Sequence, residues 1–206
     1  MPRTPSPLAE LLDSPLTTHS PALRRSATVA LAVLMLATRQ CHVGLMSDAS
    51  WAVFFLGGFY IGGATLFAAF MAAAVVIDYV ATAHLGVSSY CLSPAYAFLL
   101  PAYASLWLGG TWAARHWQQE RPIKSLLTLF GMLLAAGSLC FLISNASFYW
   151  LSARVAHPTL AGWLANFGDW YAYFLAVPAA YVAIAATVQL LSNYWPAWRM
   201  RRASAH

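Results

Sequence analysis

The chain alternates between long stretches without charge and short polar breaks. Residues 1–25 are rich in Pro, Ser and Thr and close on Arg24-Arg25. This composition predicts a disordered cytoplasmic tail whose arginines stay inside by the positive-inside rule. The apolar run Ala27 to Ala37 follows. It also suits the core of a cleaved signal peptide, but Gln40 spoils a lipoprotein cleavage signal before Cys41. A first membrane helix, continued through Thr38-Arg39-Gln40, is the preferred reading. After the break Cys41 to Ser50 come 35 residues, Trp51 to Leu85, interrupted only by Asp78 and His84. A single helix of that length would extend ~52 Å, against a hydrocarbon core of ~30 Å. Two helices are therefore predicted, turning near Gly62-Gly63. The break 86–94 leads to a fourth span over Ala95 to Ala114, a basic loop from Arg115 to Lys124, and a fifth span over Ser125 to Leu151. The polar and aromatic segment Ser152 to Asp169 reads as a loop, and Trp170 to Trp195 as a sixth span.

Composition fixes the solvent. With 61% hydrophobic and 8% charged residues, and a mean hydropathy of +0.62, the chain is not an ordinary soluble domain. The predicted fold is all-α: a polytopic membrane bundle of six transmembrane helices with both termini cytoplasmic. It forms one domain over residues 26–198, between the tail 1–25 and a basic cytoplasmic tail 199–206. Six spans put Arg3, Arg24, Arg25, Arg115, Arg121, Lys124, Arg199, Arg201 and Arg202 on the inside and leave only Arg39 and Arg154 outside. Five spans would place the C-terminal arginines outside, against the rule. The net charge of +5 does not indicate nucleic acid, because the basic residues sit at the ends of apolar runs and form no stripe with aromatics.

Under this topology the loops 41–50, 86–94 and 152–169 face outward, and the unexplained polar residues gather there. They are His42, Asp48, Asp78, His84, Cys91, Tyr96, Asn145, Arg154, His157, Asn166 and Asp169. A one-sided polar cup on a helical bundle reads as an outward-opening binding site. Asp78 lies inside the third span, where a charge is costly. It reads equally as a ligand contact or as the structural partner of Arg154 or Arg39. Arg154 reads as a ligand contact or as an interfacial arginine that snorkels. Tyr96 would direct its hydroxyl to the cup or belong to the interfacial aromatic belt. Cys91, beside Tyr90 in a shaped polar turn, is either a ligand-holding thiol or a small buried residue.

Other signals are weaker. No two outer histidines stand at i, i+3 or i, i+4, and no zinc motif is present. His116 belongs with the cytoplasmic basic loop. The chain carries no P-loop, dinucleotide fingerprint or nucleophile elbow, hence no recognisable ATP site. Cys140 sits in an apolar run as a small hydrophobe, while Cys41 and Cys91 can pair only in an oxidising compartment. Gly58 and Gly62 form a G-x-x-x-G pair that favours close helix packing, within the bundle rather than against a partner.

The stretch Asp48-Ala-Ser-Trp-Ala-Val-Phe-Phe-Leu-Gly-Gly-Phe-Tyr-Ile61 resembles a segment of the BtuM family. These are small membrane proteins of Gram-negative bacteria, related to the substrate-binding S-components of energy-coupling-factor vitamin transporters. Asp78, Cys91 followed by Tyr96, and Ile143-Ser144-Asn145 extend the resemblance, which runs from about residue 26 onward. It implies an S-component-like protein of the inner membrane that takes up cobalamin from the periplasm. It implies Cys91 as the cobalt ligand, with Asp78, Tyr96, His42 and Arg154 nearby; Asn145, Asp48 and Tyr90 complete the candidate ligand-binding set. A thiolate is a strong, polarizable ligand for cobalt, so binding could also remove the axial cyanide of cyanocobalamin. Trp51, Tyr90, Tyr96, Trp163, Trp170 and Tyr171 would line a cup for the corrin. One departure concerns coupling: such proteins often carry A-x-x-x-A in the first helix, whereas Ala27, Ala30 and Ala32 are each followed four residues later by leucine. An energy-coupling partner module is therefore in doubt.

Two other classes compete with this expectation. A haem- or quinone-dependent oxidoreductase would use His42, His84 or His157. An accessory subunit without its own ligand would dock through the Gly58/Gly62 face, leaving the polar cup unexplained.

Overall fold

The computed structural model describes residues 21–39, 47–84 and 93–203, with side chains as far as residue 192. These residues form α1 (Pro21–Arg39), α2 (Ser50–Tyr60), α3 (Ala64–His84), a 3-10 turn (Pro94–Phe98), α4 (Leu99–Arg115), α5 (Pro122–Leu151) and α6 (Leu160–Ala203). No strand occurs among the described residues. Helices α1, α3, α5 and the Leu160–Ser192 part of α6 are long and apolar enough to cross a membrane. This is the architecture of a membrane-embedded helical protein. Four of the six expected spans meet that measure. Helix α2, with 11 residues, reaches only about 16 Å, and α4, with 17, about 26 Å.

The predicted turn at Gly62-Gly63 is present. Both glycines have positive φ, 63° and 84°, a conformation that side chains with a Cβ resist. The amides of Ile61 and Gly62 both donate to the Gly57 carbonyl, closing α2 as left-handed glycine caps do. Other boundaries differ from expectation. Residues 21–25, expected within the tail, are helical among the described residues, so Arg24 and Arg25 lie within α1. Helix α6 begins at Leu160, so most of the expected 152–169 loop is helical and only residues 152–159 connect α5 to α6. Thr159 makes the start: its hydroxyl accepts from the Gly162 amide, and its carbonyl accepts from Trp163. This is the N-cap arrangement.

Helix α2 is the centre of the bundle. Every residue from Ser50 to Phe59 is buried, which explains its uniformly apolar character. Phe54 stacks on Tyr103 at 4.4 Å and meets Phe67, Phe70 and Trp107 edge-on. In lipid, where transfer from water no longer drives helix association, such close contacts and small residues carry the packing. The closest approach is between α2 and α4. A Cβ on Gly58 would stand 1.9 Å from the Trp107 carbonyl oxygen, and one on Gly110 would stand 1.9 Å from that of Phe55. Thr111 lies in the same crossing and donates to the Gly58 carbonyl at 3.2 Å. The expected Gly58/Gly62 pair thus divides: Gly58 packs within the bundle with Gly110 as its counterpart, and Gly62 makes the turn.

Candidate functional site

One cavity of about 640 Å³ gathers side chains from all six helices, within the size range of small-molecule sites. Arg39 comes from the end of α1, Trp51 from the start of α2, Asp78 from the last third of α3 and Tyr103 from the start of α4. Ser144, Asn145 and Phe148 come from the end of α5, and Asn166, Trp170 and Phe174 from the start of α6. Odd helices therefore end at the cavity and even ones begin there, so consecutive helices alternate in direction.

A single guanidinium organises one wall. Arg39, only 6% exposed, donates through Nε to Asp78 Oδ1 and through a terminal nitrogen to Oδ2, both at 2.6 Å. This two-point geometry is the strongest available to a carboxylate. Its other terminal nitrogen donates to Ser50 Oγ at 2.7 Å and to the Tyr103 hydroxyl at 3.4 Å. The Tyr96 hydroxyl donates to Asp78 Oδ2 at 2.7 Å. Asp48 Oδ1 accepts from both the amide and the hydroxyl of Ser50, an Asx turn that sets the entry to α2. Thr38 Oγ1 accepts from the Ala49 amide, fixing the same entry to the end of α1. Both oxygens of Asp78 are thus committed, so it serves as a fixed anion rather than a mobile base. Of the two partners expected for it, Arg39 makes the ion pair.

The facing wall is built on amides and aromatic rings. Trp163 Nε1 donates to Asn145 Oδ1, and Asn145 Nδ2 donates to Asn166 Oδ1, each at 2.9 Å. Phe141, Phe148, Trp170 and Phe174 supply aromatic surface. Arg154 lines the cavity from the α5–α6 connection. It follows Ala153, whose φ of 58° is a left-handed conformation costing a non-glycine residue roughly 1–2 kcal/mol.

Six residues expected in the outer cup line this one cavity: Asp48, Asp78, Tyr96, Asn145, Arg154 and Asn166. His84, His157 and Asp169 do not; they are exposed elsewhere, at the end of α3, in the connection and on the outer side of α6. Of the expected aromatics, Trp51, Tyr96 and Trp170 line the cavity. Trp163 stands behind Asn145, and Tyr171 stacks on Phe167 and bonds Ser138. Cys41, His42, Tyr90 and Cys91 lie outside the described residues. Among those described, no three His, Cys, Asp or Glu side chains cluster as a metal site. Sequence reasoning did not include Ser50, Tyr103, Phe141, Phe148 or Phe174 in the site. The spacing 141, 144/145, 148 on α5 and 166, 170, 174 on α6 was the available signal, since such positions share one helical face. The chain matches no protein-family model and no curated protein sequence.

Proposed function

We propose that this chain is a six-span protein of the bacterial inner membrane that binds cobalamin in the cavity from the periplasmic side, with the Cys91 thiolate as cobalt ligand. The observation that carries the reading is a cavity at one end of the bundle, with an Arg39–Asp78 ion pair on one wall and amides and aromatic rings on the other. A corrin, flat and apolar at its centre and fringed with amides, calls for that mixture. Cys91 lies three residues before the 3-10 turn begins at Pro94, and five before Tyr96, which lines the cavity. The charge pattern supports the orientation: Arg24, Arg25, Arg115, Arg121 and Lys124 lie at helix ends away from the cavity, where the positive-inside rule wants them. Helices α2 and α4 complete six crossings together with the segments adjoining them.

The chemistry extends to the axial ligand. The Cys91 sulfur donates its electron pair to cobalt(III), and cyanide leaves with the pair of the cobalt–carbon bond. The thiol proton departs with it as hydrogen cyanide. Cobalt keeps its oxidation state, so no reductant is required. Purified protein mixed with cyanocobalamin is expected to release one cyanide per bound vitamin, and Cys91→Ser none. Equal release from the serine variant would contradict the assignment.

A further inference from the structure

The relay between α5 and α6 has only one consistent polarity. An indole N–H can donate but not accept, whereas a carboxamide presents an acceptor oxygen and a donor nitrogen. Trp163 Nε1 therefore requires the oxygen of Asn145 to face it, at 2.9 Å. Asn145 must then turn its nitrogen to Asn166, and Asn166 must answer with its oxygen, again at 2.9 Å. The orientation of both amides, which heavy-atom positions alone leave ambiguous, is fixed by the one group in the relay that cannot be reversed. The consequence falls on Asn166. Its oxygen is used, and its two N–H groups have no partner among the described residues, although the side chain lines the cavity.

The opposite wall behaves differently. There Arg39 commits four of its five N–H groups, and Tyr96 its hydroxyl, to Asp78, Ser50 and Tyr103. Ser144, the other hydroxyl lining the α5 side, donates back to the carbonyls of Cys140 and Phe141. Neutral hydrogens remaining to meet a ligand on the α5–α6 wall therefore come from the two asparagines and from the Trp170 indole.

We propose that Asn145 and Asn166 form a subsite for a carbonyl oxygen of the ligand, held in donor orientation by Trp163 as a positioning residue. This rests on the cobalamin reading, in which the oxygen belongs to a peripheral carboxamide of the corrin. The subsite admits hydrogen-bond acceptors and rejects groups that only donate.

Asn166→Asp separates this role from a structural one. Aspartate has the same shape and still offers an oxygen to Asn145 Nδ2, so the relay survives, but it carries no N–H. Asn166→Leu breaks the relay and merely leaves the ligand oxygen without a partner. Dissociation constants for cyanocobalamin are measured on the purified full chain, with thermal stability alongside. The expected order is wild type, then Asn166→Leu, then Asn166→Asp, with the aspartate variant at least tenfold weaker than wild type at unchanged stability, as a lost bond plus acceptor–acceptor repulsion requires. Trp163→Phe, which frees the Asn145 amide to rotate, is expected to fall between wild type and Asn166→Asp. An aspartate variant that binds like wild type, or better than the leucine variant, overturns the subsite. Wild-type affinity in Trp163→Phe removes that residue's role. Failure of the wild-type protein to bind cyanocobalamin at all would overturn the cobalamin reading and this inference together.

Discussion

Asp78→Leu is expected to destabilise the folded protein by about 3 kcal/mol or more, and the double variant Arg39→Met/Asp78→Leu to recover most of that loss. The reason is asymmetry. Arg39 is 6% exposed and binds Asp78 through two parallel hydrogen bonds. Removing one partner strands a buried charge, at a cost of about 3–5 kcal/mol, while replacing both by apolar groups is often close to neutral. Ser50 and Tyr103 still accept from the guanidinium in the single variant, which places the expectation at the lower end. Reversible unfolding in detergent measures it. Equal losses in the single and double variants would show that packing at Asp78, not the ion pair, holds α1 to α3. The same comparison bears on function. Asp78 orients the Tyr96 hydroxyl, so the double variant is expected to be stable yet impaired in ligand binding.

The second large effect lies in the α2–α4 crossing. Gly110→Val is expected to prevent accumulation of folded protein. Its Cβ would stand 1.9 Å from the Phe55 carbonyl oxygen and 2.9 Å from the Phe59 amide nitrogen. Both are backbone atoms, so the helices can relieve the clash only by moving apart. That separation would open the stack of Phe54 on Tyr103 and the Thr111 bond to Gly58. The loss would exceed the roughly 1–3 kcal/mol of ordinary overpacking. Gly131→Ala on α5 is the control, because a Cβ there meets nothing within 4 Å. It is expected to be neutral, or to stabilise by up to about 1 kcal/mol through helix propensity. Membrane-inserted yield and size-exclusion profile distinguish the two, and a well-behaved Gly110→Val protein would mean that the crossing is looser than described.

Much of this was legible because polarity is expensive in an apolar chain. Asp48, Asp78, Tyr96, Asn145, Arg154 and Asn166 stood out against their surroundings, and the structure brings them to one cavity. The paired glycines at 62 and 63 marked the α2–α3 turn for a similar reason: a run too long for one crossing had to break, and glycine permits the break. Partner choice was not legible. Arg39 and Arg154 were equal candidates for Asp78, since a sequence says which charges need partners and not which helices are neighbours. Exposure was also hidden. His84, His157 and Asp169 are as polar as the cavity residues but stand on outward surfaces. The start of α6 was missed because Gly162, Asn166, Gly168 and Asp169 favour helices weakly. The Thr159 cap and the spacing of Asn166, Trp170 and Phe174 outweigh those propensities, and they turn an expected loop into a wall of the cavity.

The central claim is that a corrin sits in this cavity with sulfur on its cobalt. The most direct measurement is the visible absorption spectrum of protein purified from cells supplied with cyanocobalamin, recorded beside Cys91→Ser. The account predicts a coloured wild-type protein whose corrin bands are displaced from those of free cyanocobalamin, and a serine variant in which any bound corrin returns to the free spectrum. A colourless wild-type protein, or identical displaced spectra in both, would contradict it.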